Sequence, residues 1–492
     1  MINGVMVMEN QNQLNPIYLL YLYLPIIVFT VSWLNPIVGF PAAVIAVYLI
    51  WICSSWKGKG FRTLLKKQWP FLTVTLLIIV GWTLLSGLGG YFQQSYDWQK
   101  HNVLLNDFIN HPWPVHYQFL GKHGVVSYYI GEYIIPGLIG KLGGFNLAQL
   151  SLLLWIVLGI SLLVLSLYHW IGKSNGWFLV LIILGLMLFS PFIYPLSGIY
   201  TTWVPWDVKP MRELGEWFSK ALLIQYTSNI SLLRFVFPQF VPVTLSTSLW
   251  VRNRYHYQLW GVILAPLIMY SIFAFLGLAC LMLMALAFDL AKQGRHLAWW
   301  KVINPENILS VVLMIVLLLY IACNVLQPKP FDEAMHFSLV DVWHHKIGFI
   351  VFQGAWFIWL LLLAKHEWKN ELLYFASLLL FFLPFFKYGA ANDLVMRVSI
   401  PALMIINFYV LKNIAVYLKK DSYYALILAG GLIVAGAGPL WQLRSAASNH
   451  SIHHVYNMPF KSGKEFFKSD QYVVYQYVDW NDSSLRKIII RK

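Results

Sequence analysis

Charge is what this sequence has least of. Of its 492 residues only 11% are Asp, Glu, Lys or Arg, against about 25% in an ordinary soluble domain. A chain so poor in charge cannot clothe a large water-facing surface, which excludes a sizeable soluble module. Cysteine is scarce too. Cys53, Cys280 and Cys323 all lie in apolar stretches, so no disulfide framework is implied. Missing as well are a phosphate-binding P-loop, a Gly-rich dinucleotide fingerprint, an Asp-x-Asp pair and a Gly-x-Ser-x-Gly elbow. No internal repeat or low-complexity segment stands out.

What the chain has is apolar length: 59% of it is hydrophobic and 17% aromatic. Runs of about 18–20 apolar residues recur from end to end, each long enough for a hydrocarbon core of about 30 Å. The fold class that follows is all-α, a polytopic membrane protein with about 11–13 transmembrane helices. Expected spans cover about 17–34, 37–55, 70–89, 147–170, 176–196, 231–250, 257–270, 273–290, 307–326, 346–364, 371–387, 399–417 and 423–441. The stretch 257–290 reads equally as a short hairpin or one long tilted helix.

The formal charge of +15 does not point to nucleic acid, because the positives are spread through short inter-span segments. Lys57, Lys59, Arg62, Lys66 and Lys67 have no acid among them and mark cytoplasm. Lys173, Arg252, Arg254, Lys292, Arg295, Lys301, Lys365, Lys369, Lys419 and Lys420 fall where alternation demands the same side. The polar leader (Glu9, Asn10, Asn12) lacks a basic region, so the first run reads as a retained span. A multi-pass cell-membrane protein with a cytoplasmic N-terminus results. Residues 1–441 form the membrane domain and 442–492 a short external tail. The external loops are 90–146, 197–230, 327–345 and 388–397, and the inner loops are too short for a nucleotide-driven engine.

Chemistry-bearing residues gather in those external loops. From Trp98 to Asn110 apolar residues keep near-helical spacing, which predicts an amphipathic helix in the membrane interface, ended by Pro112. Asp97 stands at its N-cap position, where aspartate is favoured structurally; a carboxylate there also suits a general base. Lys100, Asp107 and His111 fall three or four apart, so they are expected on one face, with His101 beside them. Each of the histidines and Asp107 also reads as a solvated interface residue. Asp393 and Arg397 are spaced i, i+4 in a loop feeding a span, which predicts a pair. Arginine's planar fork suits a phosphate, and ionisable groups at the membrane edge are functional suspects. Arg234 sits in an apolar run broken by Pro238 and Pro242, the kind of break tolerated only against protein or a water-filled cavity. It either snorkels to the interface or offers a second cation. Asp207 to Glu216 reads as a solvated amphipathic face. His336, Asp341, His344 and His345 have ligand chemistry but no zinc spacing, so no metal site is assigned. Trp98, Trp113, Trp203 and Trp206 form an interfacial belt, some of whose rings suit sugar stacking.

The stretches Asp97-Trp98, Lys100-His101-Asn102, Trp113-Pro114-Val115, Phe237-Pro238-Gln239 and Asn392-Asp393-Leu394, with Met396-Arg397 and Ser399-Ile400-Pro401, resemble those of bacterial multi-span proteins of the C-type glycosyltransferase fold (GT-C). The likeness covers roughly 70 to 440. It implies a transferase taking sugar from a polyprenyl-phosphate donor and passing it to a glycan, lipid or protein acceptor on the outer face. By that resemblance Asp97 is the base, Arg397 a donor-phosphate ligand oriented by Asp393, and Lys100 and His101 line the same mouth; by residue type Arg234 and Lys100 are further candidates for the phosphate and Asp107 a supporting residue. No cofactor is required by the residues, and a divalent cation is left open. The carboxylate here follows the third expected span rather than the first, and the large C-terminal domain of several relatives has no counterpart. The rivals are a flippase of lipid-linked saccharide, which needs inverted repeats and a polar mid-membrane route, and a non-catalytic envelope-assembly protein.

Overall fold

The structure, a computed structural model, describes residues 14–54, 59–119, 121–172, 175–196, 217–218, 224–293, 299–325, 337–343, 346–388, 392–451, 453–469 and 475–491. Lys57, Lys173, Arg295, the stretch 207–216, Trp203, Trp206, His336, His344 and His345 lie outside them. The protein is a multi-span helical membrane protein. Among the described residues eleven helices are long and apolar enough to cross a membrane, and two shorter apolar ones, Tyr257–Met269 and Glu371–Phe385, lie between them.

α1 (Pro16–Trp33) and α2 (Pro36–Cys53) each start with proline in the first turn behind an asparagine whose side chain caps the helix. α3 (Lys59–Leu85) brings the chain back to the end of the bundle where α1 and α2 are joined. The next helices are α4 (Trp98–Asn110), α5 (Gly131–Ile171) and α6 (Trp177–Leu188). α5 is two helices joined at a kink where Gly143 and Gly144 leave helical geometry. The second begins close to the expected 147, and the first, from Gly131, is a helix that the loop after α3 contributes to the bundle. The stretch 257–290 resolves into two pieces, since helix Ile272–Gln293 starts only after a break at Tyr270 and Ser271.

Two helices form the centre. Asn229–Arg252 and Asp393–Tyr417 are almost wholly enclosed, whereas α2 and α3 keep Ile37, Val44, Trp51 and Leu77 exposed. In a bilayer those exposed apolar faces meet lipid. Asn229–Arg252 breaks at Val236, just before Pro238, and the break lies inside protein.

The tail does more than trail off. Helix Ser422–Ser448 overruns its expected end, and the chain then folds back across the loop after α3. The Ser451 and Val455 amides donate to the Tyr91 and Gly90 carbonyls at 3.0 and 2.8 Å. Strand Val478–Asp479 adds antiparallel to the hairpin of β1 (His116–Phe119) and β2 (Lys122–Val126). Last, the Asn35 amide donates to the Ile489 carbonyl at 2.9 Å, and Arg491 to that of Trp33 at 3.0 Å. The segment expected as a short tail packs on α4 and extends the β1–β2 hairpin.

Candidate functional site

α4 carries the first part of the site, but its apolar face is not in lipid headgroups. Trp98 stacks on Phe237 at 5.0 Å, and Phe108 packs edge-on to Trp113 and Tyr133. Asn102 is fully buried. Its side chain donates to Gln94 Oε1 (2.7 Å) and the Asn457 carbonyl (3.2 Å), and accepts from Gln149 Nε2 (2.7 Å). The spacing of apolar residues announced an amphipathic helix; it could not say that protein, rather than lipid, would cover both its sides.

Asp97 precedes this helix with helical dihedrals, and its carboxylate makes no capping bond. Instead Oδ1 pairs with Lys100 Nζ at 2.7 Å, and 37% of the aspartate side chain stays exposed. Burial alone would raise this carboxyl, but the Lys100 ammonium, with smaller contributions from His101 and Arg397, brings it below the usual range. Lys100 in turn is held above its ordinary value despite burial, by Tyr477 and Asp97.

His101 is different. Burial and the neighbouring Lys100 push it down to about 3, so it is neutral at physiological pH. The Tyr133 hydroxyl is 2.5 Å from its Nδ1 and the Phe235 carbonyl 3.5 Å from its Nε2. That network assigns the proton to Nε2, with Nδ1 accepting from Tyr133.

The second part comes from far along the chain. Asn392 adopts a left-handed conformation (φ 47°) that turns the backbone into helix Asp393–Val398. Asp393 Oδ2 then meets Arg397 Nη2 at 3.1 Å, and Arg397 Nη1 donates to the Tyr129 hydroxyl at 2.8 Å. Gln239 Nε2 also donates to that hydroxyl (3.2 Å), its own Oε1 accepting from Ser271 (3.1 Å). Arg397 is close enough to act electrostatically on Asp97, Lys100 and His101. Asp97, Lys100, His101, Asp393 and Arg397 therefore form one cluster. Tyr128 and Tyr129 line it; burial raises both phenols, Tyr129 to about 12 against the pull of Arg397.

Asp107 and Arg234 stand apart. Asp107 does not share the mouth with Lys100. It is buried at the other end of α4, its Oδ2 accepting from the Tyr117 hydroxyl at 2.5 Å and the Gly463 amide at 2.8 Å. His111 is 3.9 Å from its other oxygen. A Cβ on Gly463 would come within 2.6 Å of that carboxylate, so the contact needs glycine. Arg234 donates to the Gln442 carbonyl at 3.0 Å and has no ion pair among the described residues. Its neighbour Phe235 supplies the carbonyl facing His101.

The residues the sequence did not single out are the tyrosines. Tyr128 and Tyr129 have ring centroids 3.6 Å apart and Tyr128 and Tyr477 4.1 Å. The adjacent pair Tyr128-Tyr129, just ahead of a helix, was a visible signal; Tyr477, delivered by the tail, offered none. Among the described residues no three His, Cys, Asp or Glu side chains gather as a metal-holding set. At the opposite end of the bundle Arg254, expected as a loop charge, is buried between Asp289 (2.8 Å) and Glu371 (3.2 Å), a paired structural network.

No family model matches the chain, and neither does any curated protein or solved structure.

Proposed function

We propose that the protein is a membrane glycosyltransferase of GT-C type, moving a sugar from a polyprenyl-phosphate donor to an acceptor hydroxyl on the outer face of the cell membrane. The observation that carries this reading is the convergence of Asp97 and Arg397. Distant segments bring a carboxylate free of capping duty beside Lys100 and within electrostatic reach of Arg397, at the end of a lipid-embedded bundle. In the reaction the acceptor oxygen bonds to the anomeric carbon. The bond from that carbon to the phosphate oxygen breaks, its electron pair leaving with the phosphate. The acceptor proton passes to the Asp97 carboxylate.

Charge grows on the leaving phosphate, which fixed cations stabilise. Arg397 and Lys100 already hold one carboxylate each. Arg234 stands apart from this cluster and, among the described residues, is buried without an anion. Asp393 and Tyr129 hold the Arg397 fork in place. Asp97 is ionised at neutral pH and is a weak base, so it is most useful late in the reaction, when the attacked hydroxyl has become acidic.

One observation favours a second reading. Glu132 is buried inside the bundle, with Tyr21 donating to it at 3.3 Å and no basic partner among the described residues. A carboxyl so placed suits a transporter of lipid-linked saccharide. The deciding experiment is transfer of labelled sugar from a panel of polyprenyl-phosphate donors by the reconstituted full chain, with and without a chelator. Transfer by wild type, lost in folded Asp97→Asn and Arg397→Ala variants, is expected. Translocation of labelled donor without any transfer would overturn the enzyme in favour of the transporter.

A further inference from the structure

The end of the tail reaches the charge cluster on a short strand. Val478–Asp479, two residues long, pairs with Val126 and Val125. Just ahead of it the Ser127 amide donates to the Tyr477 carbonyl at 3.0 Å, and Asn324 Nδ2 donates to the Gln476 carbonyl at 2.7 Å. These bonds set the Tyr477 ring against Tyr128, with 4.1 Å between centroids. Tyr128 lies on Tyr129 in turn, and the Tyr129 hydroxyl accepts from Arg397 Nη1. Lys100 and Tyr477 line one small cleft, and Tyr477 is close enough to act electrostatically on both Lys100 and Arg397. Its ring is buried, whereas its hydroxyl is open to solvent and makes no hydrogen bond among the described residues.

Two observations call for an anion at this place. Arg397 acts unfavourably on the Lys100 ammonium, so the two cations repel. Arg397 commits Nη1 to Tyr129 and Nη2 to Asp393, but its Nε is buried without a partner among the described residues. We infer that Tyr477 is a phosphate-binding residue supplied by the tail: its hydroxyl donates to the lipid-linked phosphate that Lys100 and Arg397 attract, and so couples phosphate binding to docking of the segment 475–480. The inference rests on the transferase reading above and deepens it, by making the tail a working part of the donor site. An anion relieves the repulsion between the cations and gives the phenol a charged acceptor, a stronger partner than a neutral one. Linkage follows. A phosphate that binds the docked tail more tightly than the undocked one holds the tail down by the same factor. One hydrogen bond to a charged group sets that factor at about tenfold or more. Phenylalanine in place of Tyr477 keeps the ring on Tyr128 and removes the donor alone.

The test is hydrogen exchange of the full chain in phosphatidylcholine nanodiscs at fixed pH, followed at 475–480 with farnesyl phosphate, farnesol or inorganic phosphate. Farnesyl phosphate at saturation is expected to slow exchange there about tenfold. Farnesol and inorganic phosphate at equal concentration should leave it unchanged. Tyr477→Phe should exchange as wild type does without ligand, gain no protection from farnesyl phosphate, and bind it about tenfold more weakly. No binding to wild type, binding with unchanged exchange, or equal protection in Tyr477→Phe would overturn the inference, and sugar transfer by the same chain would leave the transferase standing. Exchange already tenfold faster in unliganded Tyr477→Phe would assign the hydroxyl to docking alone and overturn it as well. Equal protection by farnesol would remove the phosphate from the contact; equal protection by inorganic phosphate would overturn the lipid as its source. Protection as expected, in a chain that transfers no sugar, would overturn the transferase and leave the phosphate site standing.

Discussion

The two ends of α4 each carry an aspartate, and they have opposite fates. At the first end Asp97 is partly exposed, paired with a lysine, and faces an arginine from a distant helix. At the other Asp107 is sealed off, and both donors to its Oδ2 come from protein that it holds in place. Burial with one lysine nearby gives a depressed carboxyl; burial with neutral donors and a histidine 3.9 Å away leaves Asp107 raised, desolvation outweighing its hydrogen bonds. An acid in an amphipathic helix is therefore not yet a function. What distinguishes the two is whether the chain has already used every lone pair it can reach.

The comparison can be broken by exchanging amide for acid. Asp97→Asn should reduce transfer by about 10²–10⁴-fold, the usual worth of a general base, with the fold intact; Asp107→Asn should leave the chemical step within a few-fold. Equal losses in a sugar-transfer assay would erase the distinction. Asp107→Ala leaves the Gly463 amide and the Tyr117 hydroxyl unpaired, costing about 1–3 kcal/mol of tail docking. Faster proteolysis within 450–469 in the folded protein would read this out.

A pH series sharpens the contrast, since the two signs are opposite. Asp97 is lower in the folded than in the unfolded chain, so its contribution is present above about pH 4 and fades as pH falls through the folded value. Asp107 is raised, and Asp479 in the added strand is pushed up to about 6 by burial. For those two the folded chain holds the proton more tightly, so tail docking is strongest in acid and weakens as pH rises through the folded values. Hydrogen-exchange protection of 463–469 and 475–480, corrected for intrinsic rates, should fall between about pH 4 and 6. A rise would contradict the burial of these carboxyls. The smallest effect concerns His101. Tyr133→Phe removes one neutral hydrogen bond, about 0.5–1.5 kcal/mol, and the pH–rate profile should show no histidine titration near 6.5 in either protein.

Hydropathy located the helical stretches well, because a span's length and apolarity are properties of a local run. It gave no span for the helix that starts at Gly131, holds Glu132 and Tyr133 and meets the expected span at a kink, because polar residues are tolerated in a helix enclosed by protein. The spacing of Asp393 and Arg397 was equally legible, since i, i+4 neighbours meet on any helix. Asp97 was visible as a candidate but carried the wrong local role; its dihedrals are helical, so the side chain is turned to Lys100 rather than to a backbone amide.

By itself, then, the sequence determined a many-spanned helical membrane protein and named most members of the charge cluster, because both follow from periodicity and residue chemistry within one segment. Only the tertiary structure decided that Arg397 comes within electrostatic reach of Asp97, that Asp107 is a tether, and that the tail packs on α4 and delivers Tyr477. Those are contacts between segments far apart in the chain, set by how helices and a strand pack, and no local pattern encodes them.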